Sequence, residues 1–382
     1  MKAEKGRVSI MTKQQKKTLN LVLTYLVIIL IGCVLLFPIA WMISAAFKTN
    51  DEIFGSIALL PKSFSFQNFI DGWKSAGIYT YATYFINSFI MVIPTTLLTI
   101  ASSALVAYGF ARFNFPFKKQ LFAILFSTLM LPNSVIIIPR YVLFNKFGWV
   151  DSYMPFWVPA LLACYPFFIY QLIQFMRGIP RDLDESACID GCGSFRIFWQ
   201  ILLPLMKPAL FSAGLFQFLW TYNDYFNSLI FINSVKKYTV SLALRLSVDA
   251  ESVVVWGRVM AMACVAVLPL VLLFFFSCGL GLLLSALAVY FRDMMHLYSI
   301  LTMGWMYATP LFYPITALPE TLQKLMKLNP LYHYINLFRN LMMYGNIPGP
   351  NTWIACISCA VASMAIGLLV FRKLQKNFIL YI

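Results

Sequence analysis

Charge is what this sequence has least of. Of its 382 residues 11% are charged, 14 are acidic and two are histidines, where an ordinary soluble domain is about 25% charged. Hydrophobic residues make up 61%, against about 45–50% in soluble chains. That balance excludes a soluble enzyme, a disordered tail and a secreted disulfide scaffold, and it marks an integral membrane protein. Several chemistries also lack their residues. No Gly-Lys dipeptide occurs, so no phosphate-cradling P-loop exists here, and there is no HExxH, no paired Cys-x-x-Cys set and no GxSxG elbow. His296 and His333 fall on opposite predicted faces of the membrane, which leaves a histidine-based active site without support. No catalytic residue is assigned. The net charge of +15 is spread in short basic tracts between apolar runs, the pattern of topology signals rather than of nucleic-acid binding.

Of the eight cysteines, six lie inside apolar runs, where the thiol behaves as a small hydrophobe. Cys188 and Cys192 are four apart and could share one helix face. A metal site would need further ligands that the sequence does not place nearby, so packing is the expected role and no metal is assigned.

Long uncharged stretches are abundant. Crossing the hydrocarbon core takes about 20 apolar residues, and runs that meet this lie at 18–47, 75–111, 120–139, 152–176, 259–291, 297–319 and 340–371. One more lies between Lys207 and Lys236, interrupted by Asp224. The expectation is an all-α polytopic transmembrane helix bundle of about eight spans, because open sheet edges are not tolerated in lipid. The first run follows Lys13, Lys16 and Lys17 and exceeds a cleavable signal core, so it reads as a retained signal anchor. With the N-terminus inside, the inner segments 1–18, 111–119, 177–207, 291–296 and 372–382 hold 17 of the 29 Lys and Arg residues. This bias puts both termini and the 177–207 loop in the cytoplasm of a bacterial cell.

That loop carries the strongest local signal. Pro180 opens it, and Asp182, Asp184 and Glu185 follow, acids suited to the positive end of a helix. Gly191 and Gly193 then permit a tight turn. A second apolar segment runs to Pro204. A helix–turn–helix of this kind at the membrane surface suits docking into a groove on another protein.

The residues Glu185-Ser186-Ala187, Asp190-Gly191, Phe198, Ile201, Leu203-Pro204 and Pro208 resemble the EAA loop of ABC importer permeases, with serine at 186 as the one departure. Phe85-Ile86-Asn87-Ser88, Ala107 through Arg112, Trp220, Asn223-Asp224 and Trp256-Gly257-Arg258 extend the likeness over about 14–270. It is closest to sugar-importer permeases of the maltose-transporter MalG type, with a type-1 (MetI-like) core. The resemblance implies a permease domain over 19–275 after a cytoplasmic N-terminus of 1–18, with its core at about 80–275 and its coupling loop at 177–208. It also implies that Glu185, Ser186, Ala187, Asp190 and Gly191 form the coupling helix and its turn. Ile201, Leu203 and Pro204 would anchor the second arm. The implied partners are a second permease subunit, a cytoplasmic ATPase dimer that binds the ATP, and an extracytoplasmic solute-binding protein, with a sugar as substrate and no cofactor in this chain. Asn223 and Asp224 are candidates for the substrate pathway. An aspartate at a helix centre costs about 2.5–3.5 kcal/mol, so Asp224 should face the bundle interior, pair or sit near the interface.

From about 272 the character changes. Gly279-Leu280-Gly281, Val289 through Asp293, Ala308 through Pro314 and Leu328-Asn329-Pro330-Leu331 resemble the last half of export permeases for polysaccharide, teichoic acid or polyol phosphate. The segment 276–382 is thus expected to add two spans, with 318–343 as an interfacial amphipathic hairpin. The run 259–291 would reach about 50 Å as a helix, so it should project, tilt or break near Gly279 and Gly281. The importer part keeps its spans and loop, so function should follow it. The rival readings are a glycan exporter permease and a chimeric product without activity.

Overall fold

In lipid each backbone N–H and C=O needs an internal partner, and a helix supplies it within one segment. The computed structural model describes residues 13–74, 79–249, 254–291, 294–311, 315 and 318–380, and among them there is no strand. Residues 1–12 of the expected cytoplasmic tail lie outside the described residues. So do 292–293 and 312–314 of the exporter-like motifs, and the last two positions.

The helices are α1 (Lys13–Ala45), α2 (Asn50–Gly55), α3 (Gln67–Lys74), α4 (Tyr81–Arg112), α5 (Lys118–Leu129) and α6 (Asn133–Lys146). Next come α7 (Met154–Leu161), α8 (Pro166–Arg177), α9 (Asp182–Ile189), α10 (Ser194–Ile197), a π turn at Phe198–Leu202, and α11 (Leu203–Leu205). The chain continues through α12 (Lys207–Tyr222), α13 (Tyr225–Phe231), α14 (Val240–Asp249) and α15 (Trp256–Tyr290). It ends with α16 (Met294–Tyr307), α17 (Glu320–Met326), α18 (Pro330–Met342) and α19 (Pro350–Leu374).

Among the described residues five helical stretches are long and apolar enough to cross a membrane: Leu21–Ala45, Tyr81–Arg112, Met154–Arg177, Trp256–Tyr290 and Pro350–Leu374. Two bent pairs, α5 with α6 at 104° and α10–α11 with α12 at 75°, raise the number to seven if each is one span. Eight is not reached. The 297–319 run yields α16, whose 14 residues give about 21 Å; Thr309-Pro310 closes it, and 312–314 and 316–317 lie outside the described residues. The 120–139 run is not straight either. It breaks at Met130–Pro132 because Pro132 has no N–H to donate and serves as the N-cap of α6.

The chain divides into two units. In the first, Met1–Gly72 with Val253–Val265, every residue from Leu21 to Ala40 except Gly32 is exposed, as expected where lipid is the solvent. The following segment is tied by polar contacts. Asn68 Nδ2 donates to the carbonyls of Ala46 (3.0 Å) and Lys48 (2.9 Å), and Asn50 bridges Val254 O (2.7 Å) and Trp256 N (2.9 Å). Gly257 fits where a Cβ would stand 2.5 Å from both Asn68 Nδ2 and Lys48 O.

The second unit, Trp73–Ser252 with Ala266–Ile382, is organised by α4. Ala104, Ala107 and Ala111 place small side chains against Phe168, Ile169, Leu172, Ile173 and Met176 of α8, so the two helices approach closely. Polar groups on α4 are satisfied locally: Thr95 and Thr99 donate to the carbonyls four residues back, and Ser102 Oγ donates to Ala160 O (2.6 Å). The expected hairpin at 318–343 is α17 and α18, joined at Asn329, which caps α18 and accepts from Trp305 Nε1 (2.8 Å). Tyr334, Leu337 and Leu341 of α18 are buried, Phe338 meets Phe89 of α4 at 6.5 Å, and Trp73 Nε1 donates to Gly345 O (2.6 Å). Helix α15 continues unbroken through Gly279 and Gly281, so of the expected outcomes for this long run, projecting or tilting are those that its 35 residues leave.

Candidate functional site

The 177–208 segment folds as two short arms on the end of α4. In the first arm the amides of Asp184 and Glu185 close the first turn on Arg181 O at 2.9 and 3.0 Å. Gly191 ends it with φ +80°. Cys192 N reaches back to Ala187 O (2.9 Å) and Gly191 N to Cys188 O (3.0 Å), which is the Schellman pattern. No atom lies within 4 Å of a Cβ built on Gly191. Glycine is therefore required by backbone conformation and not by crowding. Ala187 is the buried residue of α9, whereas Glu185, Ser186 and Asp190 are exposed.

The second arm is held by Ile197, Phe198, Leu202 and Met206, all buried. Of the expected anchors, Ile201 and Leu203 are half-buried against that cluster and Pro204 is exposed. The shift arises at the π turn. Leu203 N bonds to Phe198 O, five residues back, which rotates the register of the apolar face. Cys188 and Cys192 do not share a helix face, because α9 ends at Ile189 between them; Cys188 is exposed and Cys192 packs on the cluster.

Both arms converge on the last turn of α4. Arg112 Nε meets Asp184 Oδ2 at 2.7 Å, with the two side chains 7% and 19% exposed. The same guanidinium donates to Ile179 O (3.0 Å), and Arg181 donates to Ala111 O (3.3 Å). Tyr108 stacks near Phe198 (5.0 Å) and donates to Ser194 O (2.8 Å). Tyr108 and Arg112 were not expected as site residues, because their partners Ser194 and Asp184 lie more than 70 positions away and no spacing in the sequence pairs them.

Asp224 stands between α12 and α13, not within a continuous helix. It is the N-cap of α13, accepting from Asn227 N (3.0 Å) and Asn227 Nδ2 (2.7 Å). Asn227 Oδ1 in turn accepts from Arg140, which also reaches Asn133 Oδ1 (3.1 Å) and lies over the Phe231 ring at 5.5 Å. Asn223 takes no part in this chain of contacts; its amide donates to Leu219 O (2.9 Å) on its own helix. The first helix of the 208–235 run thus stops at Tyr222, and Asp224 caps a new helix there.

At the other end of α4, Asp151 knots two loops. Its carboxylate accepts from Asn233 N (3.0 Å), Ser234 N (2.8 Å), Ser234 Oγ (2.5 Å) and Lys237 Nζ (3.1 Å). Burial pushes this carboxyl up, but the bonds from Ser234, Lys237 and Asn233 outweigh it and hold it at about 2. Because the folded value lies below the ordinary 3.8, the stabilisation is present above about pH 4 and lost as pH falls through about 2. Asp151→Asn should cost about 1 kcal/mol, since the side chain stays partly exposed. Thermal unfolding of the detergent-solubilised chain should show a parent–variant gap that stays constant from about pH 5 to about pH 8. A gap that closes within that window would assign the effect to another group.

The family model described as "Binding-protein-dependent transport system inner membrane component" matches residues 100–283, a stretch that contains the whole two-armed loop. The probable ABC transporter permease protein YurM of Bacillus subtilis (strain 168) is 32% identical over 238 residues, covering 62% of this chain and 78% of YurM. The chain belongs to the binding-protein-dependent transport permeases. It is a multi-pass membrane protein and a transport component, not an enzyme; permeases of this family work with an ATPase and a binding protein. The trehalose/maltose transport system permease protein MalG of Thermococcus litoralis is 28% identical over 259 residues, covering 68% of this chain and 92% of MalG. A solved bacterial ABC transporter involved in the import of the acidic polysaccharide alginate superposes with a TM-score of 0.60 at 16% identity. It covers 70% of this chain and 97% of its own, a likeness of fold.

The permease carries a second match, to the model described as "ABC-2 type transporter", over 238–343. The two matches overlap at 238–283. The change of character near 272 therefore falls within a stretch that both families describe, along α14 and α15.

Proposed function

We propose that this permease carries sugars or oligosaccharides into the cell as one membrane subunit of an ABC importer, and that the 177–208 loop couples it to a cytoplasmic ATPase. The supporting observation is the contrast between the loop's root and its outer side. Its root is clamped by Arg112–Asp184 and by the buried Ile197, Phe198 and Leu202, while Leu183, Ile189, Phe195 and Trp199 stand 42–86% exposed. Exposed apolar side chains around an acidic helix are what a groove on a partner would cover, and a rigid root would pass the partner's motion to α4 and α8. Glu185, Ser186, Asp190 and Gly191 lie on the exposed side, and Ala187 is the small residue that lets α9 lie flat. The sugar class is supported by MalG, whose name specifies trehalose and maltose. In this reading both termini are cytoplasmic, 19–275 is the importer permease and 276–382 an exporter-like segment. A second permease and an extracytoplasmic binding protein complete the assembly, and Asp224 with Arg140 lines the substrate path. The ABC-2 match over 238–343 favours a second reading, export of a glycan.

The test is reconstitution with the ATPase and binding protein, following transport and substrate-stimulated ATP hydrolysis together. Gly191→Val forces a β-branched residue to positive φ and should leave expression intact while uncoupling hydrolysis from uptake. Glu185→Ala should weaken ATPase docking by about 1–3 kcal/mol through the loss of a charge-assisted hydrogen bond. Parent-level activity in both variants would remove the loop from coupling, and outward transport would favour the exporter reading.

A further inference from the structure

A pocket of about 380 Å³ opens where the loop after α6 meets the segment between α13 and α14. Tyr153, Met154 and Trp157 form its apolar walls, and Asn87, Ser152, Lys236 and Lys237 supply its polar atoms. It lies at the start of the span Met154–Arg177, the level at which tryptophan and tyrosine gather at a membrane–water interface.

Nearly every donor in this pocket is already committed. Asn87 Nδ2 donates to Lys236 O (2.7 Å) and Tyr238 O (3.0 Å). Ser152 Oγ donates to Trp149 O (2.6 Å), Tyr153 Oη to Lys237 O (3.0 Å) and Trp157 Nε1 to Met91 O (3.3 Å). Lys237 is neutralised by Asp151. The Lys236 ammonium is exposed and, among the described residues, forms no hydrogen bond or ion pair. A sugar needs an array of free donors and acceptors, which this pocket does not offer. One unpaired cation above aromatic and thioether walls suits an anion that carries an apolar body.

We propose that this pocket binds an anionic phospholipid, with the phosphate on Lys236 and the glycerol and first acyl carbons against Trp157, Tyr153 and Met154. Charge complementarity selects the anion, and the apolar walls select a lipid over a free phosphate, which would gain one solvated contact and no burial.

The experiment reconstitutes the full chain in bilayers containing photoactivatable phosphatidylglycerol or photoactivatable phosphatidylcholine and maps the cross-linked peptides. Phosphatidylglycerol should label residues 152–157 in preference to phosphatidylcholine. Lys236→Glu should cut that labelling by about fivefold or more while labelling along α1 is unchanged, and Lys236→Arg should retain it. Three results would overturn the proposal: equal labelling by the two lipids, labelling unaltered by Lys236→Glu, or displacement of the lipid by inorganic phosphate or a disaccharide. The α1 labelling reports insertion independently, so a variant that fails to fold is recognised, and Lys236→Gln then replaces it.

Discussion

Replacing Arg112, at the end of α4, with alanine is expected to loosen the 177–208 loop that it holds. The guanidinium holds Asp184 at 2.7 Å and Ile179 O at 3.0 Å in a pocket where it is 7% exposed. Among the described residues Asp184 Oδ1 has no hydrogen-bond partner of its own, so the carboxylate depends on that one cation. Removing one partner of a buried pair typically costs about 3–5 kcal/mol because the other charge stays buried and unpaired. With Asp184 19% exposed, the lower end applies, about 3 kcal/mol. Amide exchange within α9 should accelerate by about 100-fold, the factor that such a loss sets on local opening. Exchange in the α4–α8 contact should remain at the parent level. Arg112→Lys should recover part of the loss, since an ammonium keeps the charge but not the forked geometry that reaches both oxygens. Unchanged α9 exchange in Arg112→Ala would mean that the buried Ile197, Phe198 and Leu202 hold the loop alone.

The loop's outline was legible because its signals are local. Pro180, the three acids and the glycine at 191 act within one turn of where they stand, and the structure ends α9 at that glycine. The main spans were legible for the same reason, since α1, α4, α7 with α8, α15 and α19 each lie largely within an uncharged run. What escaped was set by tertiary geometry. In lipid a leucine gains nothing by facing inward, so an apolar run carries no periodic trace of its bends. The π turn at 198–202 left no such trace, and the 104° break at Met130–Pro132 was marked by Pro132 alone within an otherwise apolar run. Asp224 was read as a charge within a span, when a helix cap was equally compatible with one acid after Tyr222-Asn223. Arg112 closes the Ala107–Arg112 motif, but its role depends on Asp184, 72 positions away, and no spacing rule links them.

Gly279 and Gly367 are where the C-terminal segment is expected to show that it belongs to the fold. A Cβ at 279 would run into the backbone of Ser363 and Met364, and one at 367 into the carbonyl of Gly279. Here α15 and α19 cross with backbones in contact, the close approach that glycine allows in membranes. Ser363 Oγ donates to Phe276 O (2.8 Å), Tyr334 Oη to Cys356 O (2.8 Å), and Phe276 lies 5.3 Å from the Tyr334 ring. The obstructing atoms are backbone, so neither helix can yield by changing a rotamer. Gly279→Ala should cost about 1–3 kcal/mol, in the range of an overpacked core, and Gly279→Leu should separate the helices outright. Gly281, two residues on and so on the opposite face of α15, has no atom of the described residues within 4 Å of its Cβ position. Gly281→Ala should therefore be neutral or stabilising by about 0.5–1 kcal/mol, through the lower cost of ordering alanine in a helix. The measurement is thermal unfolding of each variant in detergent, with a cysteine pair across Phe276 and Ser363 reporting the crossing. If all three variants unfold with the parent and the pair still cross-links, α19 is a loosely attached appendage. If Gly279→Leu abolishes the cross-link, both position-279 variants lower the unfolding temperature and Gly281→Ala does not, the exporter-like segment is a packed layer of the permease, and removing 292–382 would strip α4 and α15 of contacts they need.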